Sequence, residues 1–117
     1  MNVVIVMSRC SRTKKFFGMR FEEKDGNLWV TDWAFPIKEE TGKKEGYDRG
    51  KISGKFYFSQ EYPGCPYCGA KGIFQCIKCG GKTACWDTSE TEVICPNCNT
   101  KLKLSGEIQS MSSGVDR

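Results

Sequence analysis

Cysteine spacing constrains this 117-residue chain more than any other feature. Seven of its eight cysteines lie between residues 65 and 98, six of them in Cys-x-x-Cys pairs, and the chain has no histidine. Two thiolates three positions apart on a tight turn can bind one metal ion, and two such pairs complete a tetrahedral site. Disulfide frameworks belong to secreted chains, and a thioredoxin-like pair needs a βαβ context that is missing here. The pattern therefore predicts metal binding.

The three pairs can be combined in more than one way. Joining Cys65/Cys68 to Cys95/Cys98 leaves 26 residues between the pairs, which suits a zinc ribbon built on a β-hairpin. Joining Cys76/Cys79 to Cys95/Cys98 leaves 15 residues, which lies within the usual range. We prefer the outer pairing, because the segments "GIFQC" and "KTACW" between its pairs resemble the strands of a hairpin. Val93 and Ile94 would then form a third strand.

The preferred pairing leaves three thiols on the hairpin, at Cys76, Cys79 and Cys85. They can form a second site that lacks one ligand, and Cys10, Asp87, water or a partner would supply the fourth. They can also be ordinary buried thiols. One zinc ion is expected and a second is the alternative. All-thiolate sites suit zinc or iron, and a rubredoxin-like iron site uses the same spacing.

Residues upstream of the cysteines predict β-structure. "NVVIVMS" is a β-branched run suited to a buried strand. "FFGMRFEEK" and "LWVTDWAFPI" flank the turn signal "DGN" and predict a hairpin over residues 16–36. Strict alternation in its second strand would place Trp29, Thr31, Trp33, Phe35 and Ile37 on one face. "KFYFSQ" at 55–60 reads as another short strand.

The remaining segments complete the predicted organisation. Residues 38–54 are polar and carry four glycines, which predicts a loop. Residues 105–117 lack periodicity and large apolar groups, which predicts a flexible tail. The fold class is therefore mainly β, with a small N-terminal antiparallel sheet over 1–62, a zinc-ribbon module over 63–104 and a tail over 105–117.

The net positive charge of the chain is concentrated near the N-terminus. Residues 1–24 hold six Lys or Arg against two Glu, whereas residues 25–60 and 61–117 are each balanced at six and six. Basic residues interleaved with aromatic ones suit phosphate contact and base stacking. This stretch makes nucleic-acid binding the alternative function. Its candidate residues are Arg9, Arg12, Lys14, Lys15, Phe16 and Arg20.

The cysteine motifs resemble a known family. "YPGCPYCG", a C-x-x-C-G-G-K-x-x-C hairpin and "CPNC" are similar to the C-terminal metal-binding domain of TerY, a family of bacterial tellurite-resistance and stress-response systems. "WVTDWAF" and "EGYDRGKISG" resemble the segment that precedes those cysteines. The resemblance covers about residues 8–100 and implies a free-standing copy of that domain. It also implies a set of metal ligands. These are Cys65, Cys68, Cys76, Cys79, Cys85, Cys95 and Cys98.

These features together predict a zinc-stabilised protein-interaction module rather than an enzyme. The chain offers no histidine for acid–base chemistry and no recognisable carboxylate pair, and the cysteines leave only a thiol redox role as an enzymatic alternative. The longest apolar run, "VVIVM", is far too short to cross a bilayer. We expect a cytoplasmic protein with a protein partner, no membrane association and no identified small-molecule substrate.

Overall fold

The chain is mainly β, as the sequence predicts. A computed structural model describes residues 3–25, 27–38, 50–79, 82–87, 89, 91–103 and 110–115. These residues form ten strands and one short 3-10 turn, without an α-helix. The strands are β1 (Val3–Arg9), β2 (Phe16–Lys24), β3 (Leu28–Pro36), β4 (Gly50–Ser53), β5 (Lys55–Phe58), β6 (Gly72–Cys76), β7 (Lys82–Trp86), β8 (Glu92–Ile94), β9 (Lys101–Lys103) and β10 (Ser110–Val115), and the 3-10 turn is Ile77–Cys79.

The predicted hairpin over 16–36 is confirmed as β2 and β3. These strands pair antiparallel from Phe17 opposite Pro36 to Lys24 opposite Leu28. Asp25 adopts a left-handed conformation at the turn, with φ of 48°. The alternating apolar residues of β2 are fully buried because one face of the sheet covers the main core. They are Phe17, Met19 and Phe21.

The predicted single face of β3 is wrong beyond Thr31. Phe21 lies opposite Thr31, but its neighbour Arg20 lies opposite Trp33, so Asp32 is an extra residue in a β-bulge. The bulge reverses the alternation, and Trp33 is consequently 56% exposed while Ala34 is buried. The alternation predicted from the sequence assumed an uninterrupted strand.

The large sheet curls so that its end strands approach each other. Its order is β4-β10-β1-β2-β3-β5, and β4 and β5 are joined through Gly54 alone. Gly54 has φ of 132°, and a Cβ there would lie 2.2 Å from the Asn27 carbonyl oxygen. The Trp29 ring nitrogen donates to the Ser53 carbonyl oxygen at 3.1 Å, which ties β3 to β4 across the curl.

Two segments depart from their predicted irregular structure. Residues 50–53 of the predicted loop form β4, while 39–49 lie outside the described residues. Residues 110–115 of the predicted flexible tail form β10, which pairs antiparallel with both β1 and β4. Backbone hydrogen bonding holds β10 in place, and such pairing leaves no signal in a polar sequence.

The cysteine-rich segment contains the predicted hairpin. "GIFQC" and "KTACW" form β6 and β7, which pair antiparallel. β7 also pairs in parallel with the end of β1, where Ser8 lies opposite Thr83. Val93 and Ile94 do not add a third strand to this hairpin, because β8 pairs with β9 in a separate two-stranded sheet. Whether 1–62 and 63–104 are separate folding units stays a prediction, although β1 and β7 share one sheet.

The two faces of the β6–β7 hairpin belong to different cores. Ile73 lies opposite Cys85, and both belong to the main core under the large sheet. Phe74 lies opposite Ala84, and both belong to a smaller core that includes Val93. Because side chains alternate along a strand, the hairpin separates two packed regions and contributes residues to each.

Candidate metal centres

The eight cysteines gather into two groups of four. Centre A consists of Cys10, Cys65, Cys68 and Cys85. Centre B consists of Cys76, Cys79, Cys95 and Cys98. Within each group the four sulfur atoms lie within 4.8 Å of one another. Each group therefore offers four thiols to one position.

Sulfur separations fit a tetrahedral metal site. Zn–S bonds of about 2.3 Å place the sulfurs of a tetrahedron roughly 3.8 Å apart. The sulfurs of Cys68 and Cys85 are 3.5 Å apart in centre A. In centre B, Cys76 and Cys98 are 3.7 Å apart, and so are Cys79 and Cys95. All eight thiols are free, since a disulfide needs about 2.05 Å between sulfurs.

Centre A is built on two turns of the same backbone form. The Cys65 N–H donates to the Ala70 carbonyl oxygen at 2.9 Å, and the Gly69 N–H donates to the Cys65 carbonyl oxygen at 2.8 Å. Gly69 has φ of 77°, the left-handed conformation that closes the turn. This turn aims Cys65 and Cys68 at one point and is the predicted metal-binding knuckle.

Cys10 begins an equivalent turn, although it has no cysteine neighbour. Its N–H donates to the Lys15 carbonyl oxygen at 2.8 Å, and the Lys14 N–H donates to the Cys10 carbonyl oxygen at 2.9 Å. Lys14 has φ of 63° and occupies the position that Gly69 holds in the other turn. Thr13 stands where a second cysteine would stand, and its N–H donates to the Cys10 sulfur at 3.4 Å.

Cys85 completes centre A from strand β7. The Ser11 N–H donates to the Cys85 sulfur at 3.2 Å, and the Ser11 hydroxyl donates to the Cys85 carbonyl oxygen at 2.6 Å. The loop after β1 thus fixes both Cys10 and Cys85. Because Cys10, Cys65 and Cys85 are at most 3% exposed, centre A is part of the main core.

Centre B lies on the opposite face of the β6–β7 hairpin. Cys76 ends β6 and packs in the smaller core, three positions from Ile73 on the centre A face. Cys79 follows on the 3-10 turn. Cys95 begins a third knuckle, in which the Asn99 N–H donates to the Cys95 carbonyl oxygen at 2.8 Å. This knuckle repeats the backbone form of the other two, and Asn99 has φ of 61°.

Thiol acidity differs strongly within centre A. Burial raises the pKa of Cys10, but hydrogen bonds from the Thr13 side chain and backbone and from the Arg12 backbone outweigh burial and lower it to about 6. Burial raises the pKa of Cys65 to about 11. Burial also raises the pKa of Cys85, with neighbouring thiols adding to the effect. Gathered thiols resist ionising together, so a bound cation would favour all four thiolates.

The thiol pKa values of centre B also differ strongly from one another. Hydrogen bonds from the Thr100 side chain and backbone lower the pKa of Cys98 to about 6. Burial, followed by the neighbouring Cys76 and Cys95 thiols, raises the pKa of Cys79 to about 12. Burial also raises the pKa of Cys76. Each centre therefore contains one acidic thiol and at least two that hold their protons at neutral pH.

The preferred pairing of the knuckles is wrong. Cys65 and Cys68 join Cys10 and Cys85, whereas Cys95 and Cys98 join Cys76 and Cys79. The 15-residue spacing describes centre B, and Cys10, left open as a ligand, belongs to centre A. All seven predicted ligands lie in one of the two groups, and their binding of a metal stays a prediction.

Strand parity is the sequence signal that separates Cys76 from Cys85. If "GIFQC" pairs with "KTACW", Cys76 lies opposite Lys82 and Cys85 lies opposite Ile73. Cys76 lies three positions after Ile73, the residue opposite Cys85. Because side chains alternate along a strand and paired residues share a face, the two thiols point to opposite faces. They consequently cannot bind one ion. No comparable signal exists for Cys10, whose turn lacks the second cysteine.

The basic stretch lies on the Cys10 knuckle. Arg12, Lys14 and Lys15 are exposed, and the Lys15 ammonium lies 5.7 Å from the centre of the Tyr67 ring. Phe16 is half-buried, and the guanidinium carbon of Arg9 lies 4.7 Å from the centre of the Phe16 ring.

Arg9 also connects the two centres. Its guanidinium donates to the Lys14 carbonyl oxygen at 2.8 Å and to the Asn97 side-chain oxygen at 3.4 Å. Lys14 belongs to the Cys10 knuckle and Asn97 to the Cys95 knuckle. Arg20, the remaining predicted basic residue, is half-buried on β2 and has a partner of its own. The predicted nucleic-acid residues are therefore divided between exposed groups and structural contacts.

Comparison with known protein families, curated proteins and solved structures finds no match. The resemblance to the TerY metal-binding domain accordingly stays a hypothesis based on the motifs. Among the residues described, no helix is long and apolar enough to cross a bilayer. The two four-cysteine centres are the chemical feature on which a function can be built.

Proposed function

We propose that the chain is a non-catalytic protein-interaction module stabilised by two zinc ions, one at each centre. The observation that carries this proposal is the arrangement of all eight thiols into two groups of tetrahedral size. All-thiolate tetrahedral sites suit zinc or iron. Zinc is favoured over an iron–sulfur cluster because the fused cysteine spacings of iron–sulfur ferredoxins are missing from the sequence.

A structural role for both ions follows from the number of ligands. A catalytic zinc ion keeps one coordination position open for water or substrate. Four thiols converge at each centre, so a bound ion has its full set of protein ligands. The chain also has no histidine to move a proton. These features support binding rather than chemistry at the metal.

Exposed aromatic side chains support a protein partner. Trp33 is 56% and Tyr57 54% exposed. Tyr57 shares a sheet face with Val30, its neighbour on β3, and Trp33 lies opposite Arg20 on the same outer face beyond the bulge. Tryptophan and tyrosine are enriched at protein interfaces and among the few residues that contribute most to binding. The resemblance to TerY would place such a partner in a bacterial stress-response complex.

Affinity purification at native expression tests the interaction role. We expect the intact chain to recover a stable protein partner, and a double variant with Trp33→Ala and Tyr57→Ala to lose it. A matched control replaces Lys24 and Lys55 with Ala, since both residues are exposed on the same sheet. The metal content should be unchanged in every variant. Recovery of no partner by the intact chain would contradict this role.

Nucleic-acid binding is the second candidate, supported by the three exposed cations on the Cys10 knuckle. Fluorescence anisotropy with single-stranded DNA and RNA should show binding at about 50 mM salt that weakens as salt rises. Replacing Arg12, Lys14 and Lys15 with Gln should abolish it while leaving centre A intact. Absence of binding at low salt, or binding that ignores salt, would reject this function.

A further inference from the structure

Accessibility of the thiols separates the two centres. Centre A has three buried thiols and one half-buried thiol, Cys68. Centre B has the only exposed thiol of the eight, Cys98. Susceptibility of a thiolate to oxidation follows its exposure. An oxidant dissolved in water therefore reaches a sulfur atom of centre B more readily than any sulfur atom of centre A.

A second thiol lies next to the exposed one. The Cys76 sulfur is buried and lies 3.7 Å from the Cys98 sulfur, across the gap between β6 and the Cys95 knuckle. The knuckle is carried by β8 and β9, which pair only with each other among the described strands. Because β8 and β9 share no strand pairing with the large sheet among the described residues, a small movement of this two-stranded sheet can bring the two sulfurs to bonding distance.

We propose that centre B is a peroxide-sensitive zinc site, in which Cys98 is oxidised first and Cys76 then forms a disulfide with it. Centre A loses its zinc ion more slowly under the same conditions. The inference rests on the proposed zinc binding, and it adds a modification site with a hydroperoxide as the reactant. It is independent of the identity of the protein partner.

The chemistry balances with hydrogen peroxide as the oxidant. The Cys98 thiolate attacks one peroxide oxygen, the O–O bond breaks, and the other oxygen leaves as hydroxide and becomes water on protonation. The Cys76 thiolate then attacks the sulfur of the Cys98 sulfenic acid. The S–O bond breaks, and the second hydroxide also leaves as water. Two thiolates lose two electrons to one peroxide, two protons are consumed, and zinc leaves as Zn²⁺ without a change in oxidation state.

Loss of two ligands explains why the ion leaves. Cys79 and Cys95 alone remain as thiols at centre B, and two ligands do not complete a tetrahedral site. The new disulfide joins the end of β6 to the Cys95 knuckle, so the small sheet stays attached by a covalent bond in place of the metal. Oxidation thus exchanges one cross-link for another, and reduction with added zinc restores the first.

The test treats the full zinc-loaded chain with hydrogen peroxide. Zinc release is followed with a chromogenic chelator, and disulfides are mapped by mass spectrometry of unreduced peptides. We expect one ion to leave, a Cys76–Cys98 disulfide to form, and the second ion to leave more slowly by a factor on the order of ten. Matched variants Cys98→Ser and Cys68→Ser each remove the most accessible thiol of one centre. Of these two variants, we expect only Cys68→Ser to form the Cys76–Cys98 disulfide.

The outcomes separate this inference from the proposed function. Fewer than two zinc ions before peroxide is added would overturn the two-zinc proposal itself. Two bound ions that leave at equal rates, or oxidation of the centre A thiols first, would overturn the peroxide sensitivity of centre B and leave two-zinc binding standing. Failure of Cys68→Ser to form the Cys76–Cys98 disulfide, with the centre B ion bound beforehand, would also overturn the inference, even where Cys98→Ser fails to bind metal.

Discussion

Centre A and centre B each consist of four thiols but join very different lengths of chain. Centre A brings together cysteines from residue 10 to residue 85, whereas all four cysteines of centre B lie between 76 and 98. Centre A is embedded in the core beneath the large sheet, and centre B lies beside a separate two-stranded sheet. If both centres bind a metal ion, centre A would link distant parts of the fold, whereas centre B would link one local segment.

Loop closure explains why this difference matters. Bringing distant residues together costs more chain entropy as the loop lengthens, although the cost rises slowly. A metal ion bound at centre A would hold the Cys10 turn, the Cys65 knuckle and β7 in one place. Loss of that ion would release the end of β1, whereas loss of the ion at centre B would release only the segment carrying β8 and β9.

Removal of both ions should have the largest effect. Structural zinc contributes roughly 10–16 kcal/mol of apparent binding energy in small domains, and the net stability of a domain is only about 5–15 kcal/mol. A strong chelator should therefore unfold the chain, as measured by circular dichroism and amide exchange. Retention of the native spectrum after complete removal of metal would contradict a structural role for either centre.

Single ligand substitutions compare the two centres directly. Cys10→Ser should lose one ion and increase amide exchange in β1, β2 and β7, because centre A fixes the junction of these strands. Cys98→Ser should also lose one ion, but increased exchange should be confined to residues 76–79 and 91–103. Native mass spectrometry provides the metal count for each variant. If increased amide exchange covered the same strands in both variants, the proposed difference between the two centres would be contradicted.

Acidification should affect the two centres alike. Burial raises the pKa of Cys65 and Cys85 in centre A and of Cys76 and Cys79 in centre B. Zinc binds thiolates, so each centre releases at least two protons on binding, and affinity should fall on the order of 100-fold per pH unit as the pH decreases. Competition with a chelator at several pH values measures this slope. A slope near zero at either centre would argue against thiolate ligation there.

Backbone substitutions at the knuckles should give the smallest effects. Lys14 has a positive φ at the position that Gly69 occupies in the Cys65 knuckle. Left-handed backbone costs a non-glycine residue roughly 1–2 kcal/mol. Lys14→Gly should therefore stabilise the zinc-bound chain by about 0.5–1 kcal/mol after the entropy cost of glycine is subtracted.

Gly69→Ala makes the opposite substitution at the equivalent position of the Cys65 knuckle. A Cβ there meets no atom within 4 Å, so backbone strain alone should destabilise it by about 1 kcal/mol. Thermal unfolding of the zinc-bound variants measures both changes. Destabilisation by Lys14→Gly would show that the Cys10 turn is not equivalent to the knuckle.

The sequence predicted local structure better than long-range arrangement. The β2–β3 hairpin and the β6–β7 hairpin follow from alternation and turn residues, which act between near neighbours. The pairing of β10 with β1 depends on backbone hydrogen bonds and has no side-chain pattern. The bulge at Asp32 has no signal in residue type either, so strict alternation predicts the wrong face for Trp33.

The cysteine centres likewise have a local part that the sequence predicts and a long-range part that it does not. Cys-x-x-Cys spacing identifies three ligand pairs, because each pair is fixed by one turn. It does not identify partners across space, which depend on the hairpin faces and on the parallel pairing of β7 with β1. Cys10 illustrates this limit, since its turn places Thr13 where the recognisable motif needs cysteine.

Cadmium NMR tests the central claim most directly. With ¹¹³Cd in place of zinc, scalar coupling to cysteine β-protons identifies the residues that bind each ion. We expect two cadmium resonances, one coupled to Cys10, Cys65, Cys68 and Cys85 and the other to Cys76, Cys79, Cys95 and Cys98. A single resonance coupled to both Cys65/Cys68 and Cys95/Cys98 would contradict it.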